Sequence, residues 1–135
     1  MRHDDIRPPW QTTEDDPLTR SIIAAAIEVH RELGPGLLEG IYEECLCHEL
    51  NKRGLAYRRQ VELPIVYKGI SLRCQYRLDL IVAEEVIAEN KCVESLLPVH
   101  EAQLLTYLRL SRIRTGLLIN FNVAVLTRGI KRMKL

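Results

Sequence analysis

No stretch of this 135-residue chain stays apolar for the roughly 18 residues that a membrane-spanning helix needs, so no such span is expected. The opening segment, MRHDDIRPPWQTTEDDP, lacks the apolar core of a secretory signal. The four cysteines, Cys45, Cys47, Cys74 and Cys92, form no C-x-x-C pair. Buried or half-buried thiols in a reducing compartment are expected, rather than disulfides or zinc ligands, and the cytoplasm is the simplest location. Internal repeats and low-complexity segments are also missing. Net charge is only +1, so the chain as a whole is no polycation.

What is present is one domain's worth of ordinary globular sequence. Hydrophobic residues make up 47% and charged residues 27%, enough to build and solvate a single modest core. The charge is unevenly placed. Residues 1–17 carry Arg2 and Arg7 against Asp4, Asp5, Glu14, Asp15 and Asp16, a net of −3, which leaves +4 on the rest. Residues 1–17 hold three prolines and no periodicity, and read as a flexible tail preceding a single domain over 18–135. The last eight residues, RGIKRMKL, carry Arg128, Lys131, Arg132 and Lys134. They suit either contact with phosphates or a solvated terminal face.

Ile22, Ala26, Val29 and Leu33 step by four, three and four, which predicts a helix from about Leu18 to Leu33, ended by GPG at 34–36. A second helix is predicted from about Leu37 to Arg53, with Leu38, Ile41, Cys45 and Leu46 inward. The period then drops to two. AYRRQVELPIVY, SLRCQYRLDLIV and VIAENKCV read as strands, the first two joined by a Lys68-Gly69 turn. Pro98 opens a helix through about Ser111, TGLLINF reads as a buried strand, and AVLTRGI as an edge strand. The expected fold is α/β, a mixed central sheet flanked by helices in the order ααβββαβ(β).

Within the strands, Asp79, Glu89 and Lys91 interrupt runs of Leu, Ile and Val. Alternation puts Leu72, Cys74, Tyr76, Leu78, Leu80 and Val82 on one face and Asp79 on the other. A hairpin loop centred on Glu84 sets Asp79 opposite Glu89, and Arg77 opposite Lys91. Two carboxylates at that range repel. A divalent cation between them reverses that sign, and hard oxygen ligands suit Mg2+ or Mn2+. A wet cross-strand ion network of Arg77, Asp79, Glu89 and Lys91 accounts for the same residues. Two helix faces add further polar groups: Gly36, Glu39 and Tyr42 at steps of three, and His100, Gln103 and Tyr107 at steps of three and four. Gly36 is expected to permit close approach beside Glu39 and Tyr42.

These segments, AAIEVHRELGPGLLEGIYEECL, YRLDL, VIAENK and PVHEAQLLTYL, together resemble the GxxExxY family of the PD-(D/E)XK nuclease superfamily over about residues 18–127. The resemblance implies a restriction-endonuclease-like fold and metal-dependent hydrolysis of DNA or RNA. It implies that Asp79 and Glu89 bind the metal, supported by Glu39, and that Lys91 positions or activates the attacking water. It further implies that Gln103 holds Lys91, water or phosphate, and that Tyr107 braces its helix. His30 is expected to be a satisfied core histidine. Leu78 stands where the superfamily's name has proline. Asn90 stands where an apolar residue is expected, and its buried amide needs partners. An inactive nucleic-acid-binding or protein-assembly module of the same fold remains the alternative, as does a protein-interaction partner whose acidic cluster is a salt-bridge network.

Overall fold

The computed structural model describes residues 8–72 and 76–135. Two helices come first, α1 (Pro17–Leu33) and α2 (Glu39–Lys52). Asp16 caps α1: its carboxylate accepts the Thr19 N–H at 2.8 Å, and Pro17 sits in the first turn, where a missing N–H costs nothing. Ile22, Ile23, Ala25, Ala26 and Val29 form the buried stripe of α1. In α2 the inward face matches the one expected at Cys45 and Leu46 and differs from it at Leu38 and Ile41. Tyr42, Leu46 and Leu50 are fully buried, whereas Leu38 is 76% exposed and Ile41 lies open. Tyr42 selects this rotation. Its ring stacks on Phe121 with centroids 4.6 Å apart, and its hydroxyl bonds the connection between the helices. Gly36, in that connection, has φ +97 and nothing within 4 Å of where a Cβ would stand. Its role is backbone conformation, not the close packing expected of it.

The strands are β1 (Tyr57–Glu62), β2 (Ile65–Tyr67), β3 (Ile70–Leu72), β4 (Arg77–Val82), β5 (Val86–Lys91), β6 (Thr115–Asn120) and β7 (Ile130–Lys134), with α3 (Pro98–Ser111) between β5 and β6. The run expected as one strand over 56–67 is divided at Pro64, which cannot donate to a ladder. β2 and β3 therefore form a separate hairpin, closed at Lys68 and Gly69, both with positive φ as a two-residue turn requires. The other strands form one sheet in the order β1-β4-β5-β6-β7. Only β5 and β6 run parallel, because α3 carries the chain across between them. The edge strand expected over 124–130 lies later, as β7, after a short 3-10 turn at Leu126–Gly129.

Both faces of the sheet are covered. α1 and α2 pack on one, with Leu80, Val82, Val86, Ala88, Leu117 and Ile119 in the first core. α3 packs on the other, with Leu78, Ile81, Ile87 and Leu118 in the second. Gly116 lets α3 come close, since a Cβ there would stand 2.9 Å from Leu104. Residues 8–16 differ from the expected tail. Thr12 N–H bonds the Arg132 carbonyl, Lys134 N–H bonds the Trp10 carbonyl, and Trp10 packs on the second core. The acidic N-terminal segment thus meets the basic C-terminal one, Arg132 pairing with Asp15 and Lys134 with Glu14, while Lys131 pairs with Glu101 of α3. Part of the uneven charge is paired in this way. Among the described residues no helix is long and apolar enough to cross a membrane.

Asn90 is fully buried in β5, and neither atom of its side-chain amide has a hydrogen-bond partner in the structure. Such a group costs about 1–3 kcal/mol. Asn90→Val replaces the amide with an apolar side chain that asks for no hydrogen bonds, and is expected to raise unfolding stability by about 1–3 kcal/mol. Urea unfolding at matched pH measures it, and a lower midpoint for the variant would show that the amide is satisfied.

Candidate active site

β4 and β5 pair from Val82↔Val86 to Leu80↔Ala88, the register set by a loop centred on Glu84. One residue further the backbone ladder stops and side chains replace it. Glu89 Oε1 accepts the Asp79 N–H at 2.9 Å, and Asp79 Oδ2 accepts the Asn90 N–H at 2.9 Å. Each carboxylate is pinned to the other residue's strand, and the two are close enough to hydrogen-bond when one is protonated. Glu89 is 3% exposed. Burial, and then the charge of Asp79, push its pKa up from an ordinary 4.5 to about 8. Burial also raises Asp79, against the pull of the Asn90 N–H. Lys91 lowers both.

The strands turn over at this level. Gln60 of β1 lies across from Asp79, yet neither has a ladder partner there, and Gln60 has φ +52. Before Gln60, Tyr57 packs on the first core; after it, Val61 and Leu63 join the second. On β4, Leu80 and Val82 belong to the first core and Leu78 to the second. Leu78 and Leu80 therefore do not share a face, contrary to simple alternation. The inversion turns the Gln60 amide toward helix α2, where it donates to both oxygens of Glu43 at 3.0 and 3.1 Å, and toward Asp79 Oδ1 at 3.4 Å.

Glu43 is absent from the sequence-based candidates. It is 5% exposed and accepts the Arg59 Nε–H at 2.6 Å. It raises the pKa of Asp79 and of Glu39 through its charge. The one signal for it in the sequence is its position a full helical turn after Glu39. Glu39 itself opens α2 and is exposed. Its carboxyl still feels the site: partial desolvation, then the charge of Asp79, raise its pKa, while Lys91 lowers it. Tyr42 anchors that helix start, donating to the Gly34 carbonyl and accepting the Leu37 N–H at 3.1 Å.

From α3, Gln103 Oε1 accepts Lys91 Nζ at 3.3 Å. Asn120 steadies the strand beyond Lys91. Its amide gives one bond to the Val93 carbonyl at 2.9 Å and takes one from the Val93 N–H at 3.1 Å, as a neighbouring strand would. Tyr107 is buried, its ring edge-on to Tyr76 at 6.3 Å. Its phenol is pushed up to about 12 by burial, then by Glu89 and Asp79. The other two candidates stand apart. His100 Nδ1 accepts the Leu97 N–H and caps α3, and His30 Nε2 bonds the Val123 carbonyl at 2.7 Å in the first core. A groove of about 620 Å3 beside α3, lined by Tyr76, His100, Gln103 and Tyr107 among others, reaches the site at Gln103. Cys45, Cys47 and Cys92 are free thiols; Cys74 lies outside the described residues.

The donor set fits a hard divalent cation, for its groups are carboxylate oxygens in a partly buried place where negative charge is already in excess. Among the described residues no three His, Cys, Asp or Glu side chains form a ready cage. Mg2+ does not require one, since it commonly binds through one or two carboxylates and keeps several waters. No curated protein and no solved structure matches the chain. A family model described as the PD-(D/E)XK nuclease superfamily matches residues 16–133. The acidic pair, the lysine two residues on and the mixed sheet that carries them fall within that match, and the chain belongs to the PD-(D/E)XK nuclease superfamily.

Proposed function

We propose that this chain is a metal-dependent nuclease of the GxxExxY kind, acting in the cytoplasm on phosphodiester bonds of DNA or RNA with Mg2+ or Mn2+. In this reading residues 18–135 are one catalytic domain. The observation that carries it is the pair of half-buried Asp79 and buried Glu89, whose backbone bonds occupy one oxygen of each carboxylate, with Lys91 beside it.

A bound divalent cation would polarise the phosphate and lower the pKa of a water nucleophile. Asp79 and Glu89 would hold it, with Glu39 in support. Lys91, kept in place by Gln103, donates to the attacking water or to a phosphate oxygen, where negative charge grows in the transition state. Water adds to phosphorus and releases one proton to solvent, the phosphorus–oxygen ester bond breaks, and the leaving oxygen takes up one proton from solvent. The alternative, an inactive nucleic-acid-binding or assembly module, predicts binding without turnover.

The raised pKa of Glu89 fixes a sign. Between its ordinary 4.5 and about 8, the folded chain holds a proton that the unfolded chain has lost. Stability of the metal-free protein should therefore fall as pH rises through that window and level off above it. Glu89→Gln should remove most of the slope, and millimolar Mn2+ should stabilise the parent most at the upper end. Melting temperatures across pH measure this. A metal-free parent that gains stability from pH 5 to pH 8 through this site would contradict it.

Lys91→Ala keeps both carboxylates, so Mn2+ should still bind. Cleavage should drop about 100-fold or more, as for loss of one preorganised donor, while nucleic-acid affinity changes little. Cleavage and binding assays on single- and double-stranded DNA and RNA test both arms. Undiminished cleavage by the variant would remove Lys91 from the chemistry. Binding without cleavage by the parent would select the inactive module.

A further inference from the structure

We propose that Glu43 and Gln60 form a positioning pair that sets the orientation of the Asp79 carboxylate for metal binding. The proposal rests on the metal-site reading above. It names two residues outside the acid–acid–lysine set.

The geometry begins in β1. Consecutive strand residues point to opposite faces. Arg59 and Gln60 nevertheless both reach Glu43, Arg59 through Nε at 2.6 Å and Gln60 through Nε2 at 3.0 Å. The left-handed backbone of Gln60, φ +52, brings them to one side. That conformation is unfavourable for a residue with a Cβ and persists where surrounding contacts hold it. Here the holder is a buried carboxylate salt-bridged to the neighbouring arginine.

The consequence falls on Asp79. Its Oδ2 is fixed by the Asn90 N–H, and its Oδ1 receives the Gln60 amide at 3.4 Å. With both oxygens engaged, rotation of the carboxylate is restricted. Each oxygen keeps a second lone pair for a cation. Glu43 occupies the amide's nitrogen from the far side and aims it. The pair thus does for a carboxylate what outer hydrogen bonds do for other metal ligands.

Gln60→Gly separates this role from a structural one. Glycine adopts the same φ without strain and removes the side chain that carries the amide. Its metal-free melting temperature should equal or exceed the parent's. Its Mn2+ dissociation constant, by calorimetry on the full chain, should rise about 10–100-fold. At saturating Mn2+, kcat should fall while KM for nucleic acid holds. Glu43→Gln, which keeps the shape but weakens the acceptor, should raise the Mn2+ constant in the same direction and serves if the glycine variant does not fold. Unchanged Mn2+ affinity in a folded variant overturns the proposal and leaves the nuclease reading standing. A parent that binds Mn2+ but cuts nothing, with affinity lost in Gln60→Gly, upholds the pair and ends the nuclease reading. A parent that binds no Mn2+ overturns both.

Discussion

Two hydrogen bonds at the end of the β4–β5 ladder organise the rest of this molecule. Glu89 takes the Asp79 N–H and Asp79 takes the Asn90 N–H, in place of backbone carbonyls. A sheet gains nothing locally from this exchange. It sets a half-buried acid beside a buried one and drives the pKa of the buried one to about 8. What the exchange achieves is geometric. Both carboxylates become fixed points on rigid strands, with lone pairs left over for a cation. A constellation built on strands is held more closely than one built on loops.

The surrounding elements bring further groups to that point. The Tyr42–Phe121 stack and the Tyr42 hydroxyl set the start of α2, and with it Glu39 and Glu43. Gly116 admits α3, and with it Gln103, whose amide oxygen holds Lys91. The charged ends of the chain are matched to each other and to Glu101. At the centre Asp79, Glu89 and Glu39 gather around a single lysine, Lys91, and each acid's pKa is raised first by burial and then by its neighbours. A dication is the simplest partner of that chemistry.

How much of this was legible beforehand depends on what each feature follows from. The Asp79–Glu89 apposition came from hairpin register, because loop length and buried alternation leave few alternatives. Glu39 and Gln103 came from helix spacing and family resemblance. Glu43 and Gln60 did not, because they depend on a strand inversion at a glutamine with φ +52, and no pattern of side chains announces it. The same inversion defeated the face assignment of Leu78. The face of α2 was misread because Leu38 and Ile41 look like core residues, and only tertiary contact shows that Tyr42 governs the rotation. The joining of residues 8–16 to β7 was also hidden, since a short polar run carries little periodicity to read.

The central claim is that the broken ladder between Asp79 and Glu89 is a divalent-cation site. Crystals of the full chain grown or soaked in Mn2+, with data collected to reveal the manganese anomalous signal, test it most directly. The account predicts a peak within coordination distance of Asp79 and Glu89 carboxylate oxygens, about 2.0–2.3 Å, with Lys91 left unliganded beside it. A signal at other residues with none at this pair, or no bound manganese at all, would contradict it.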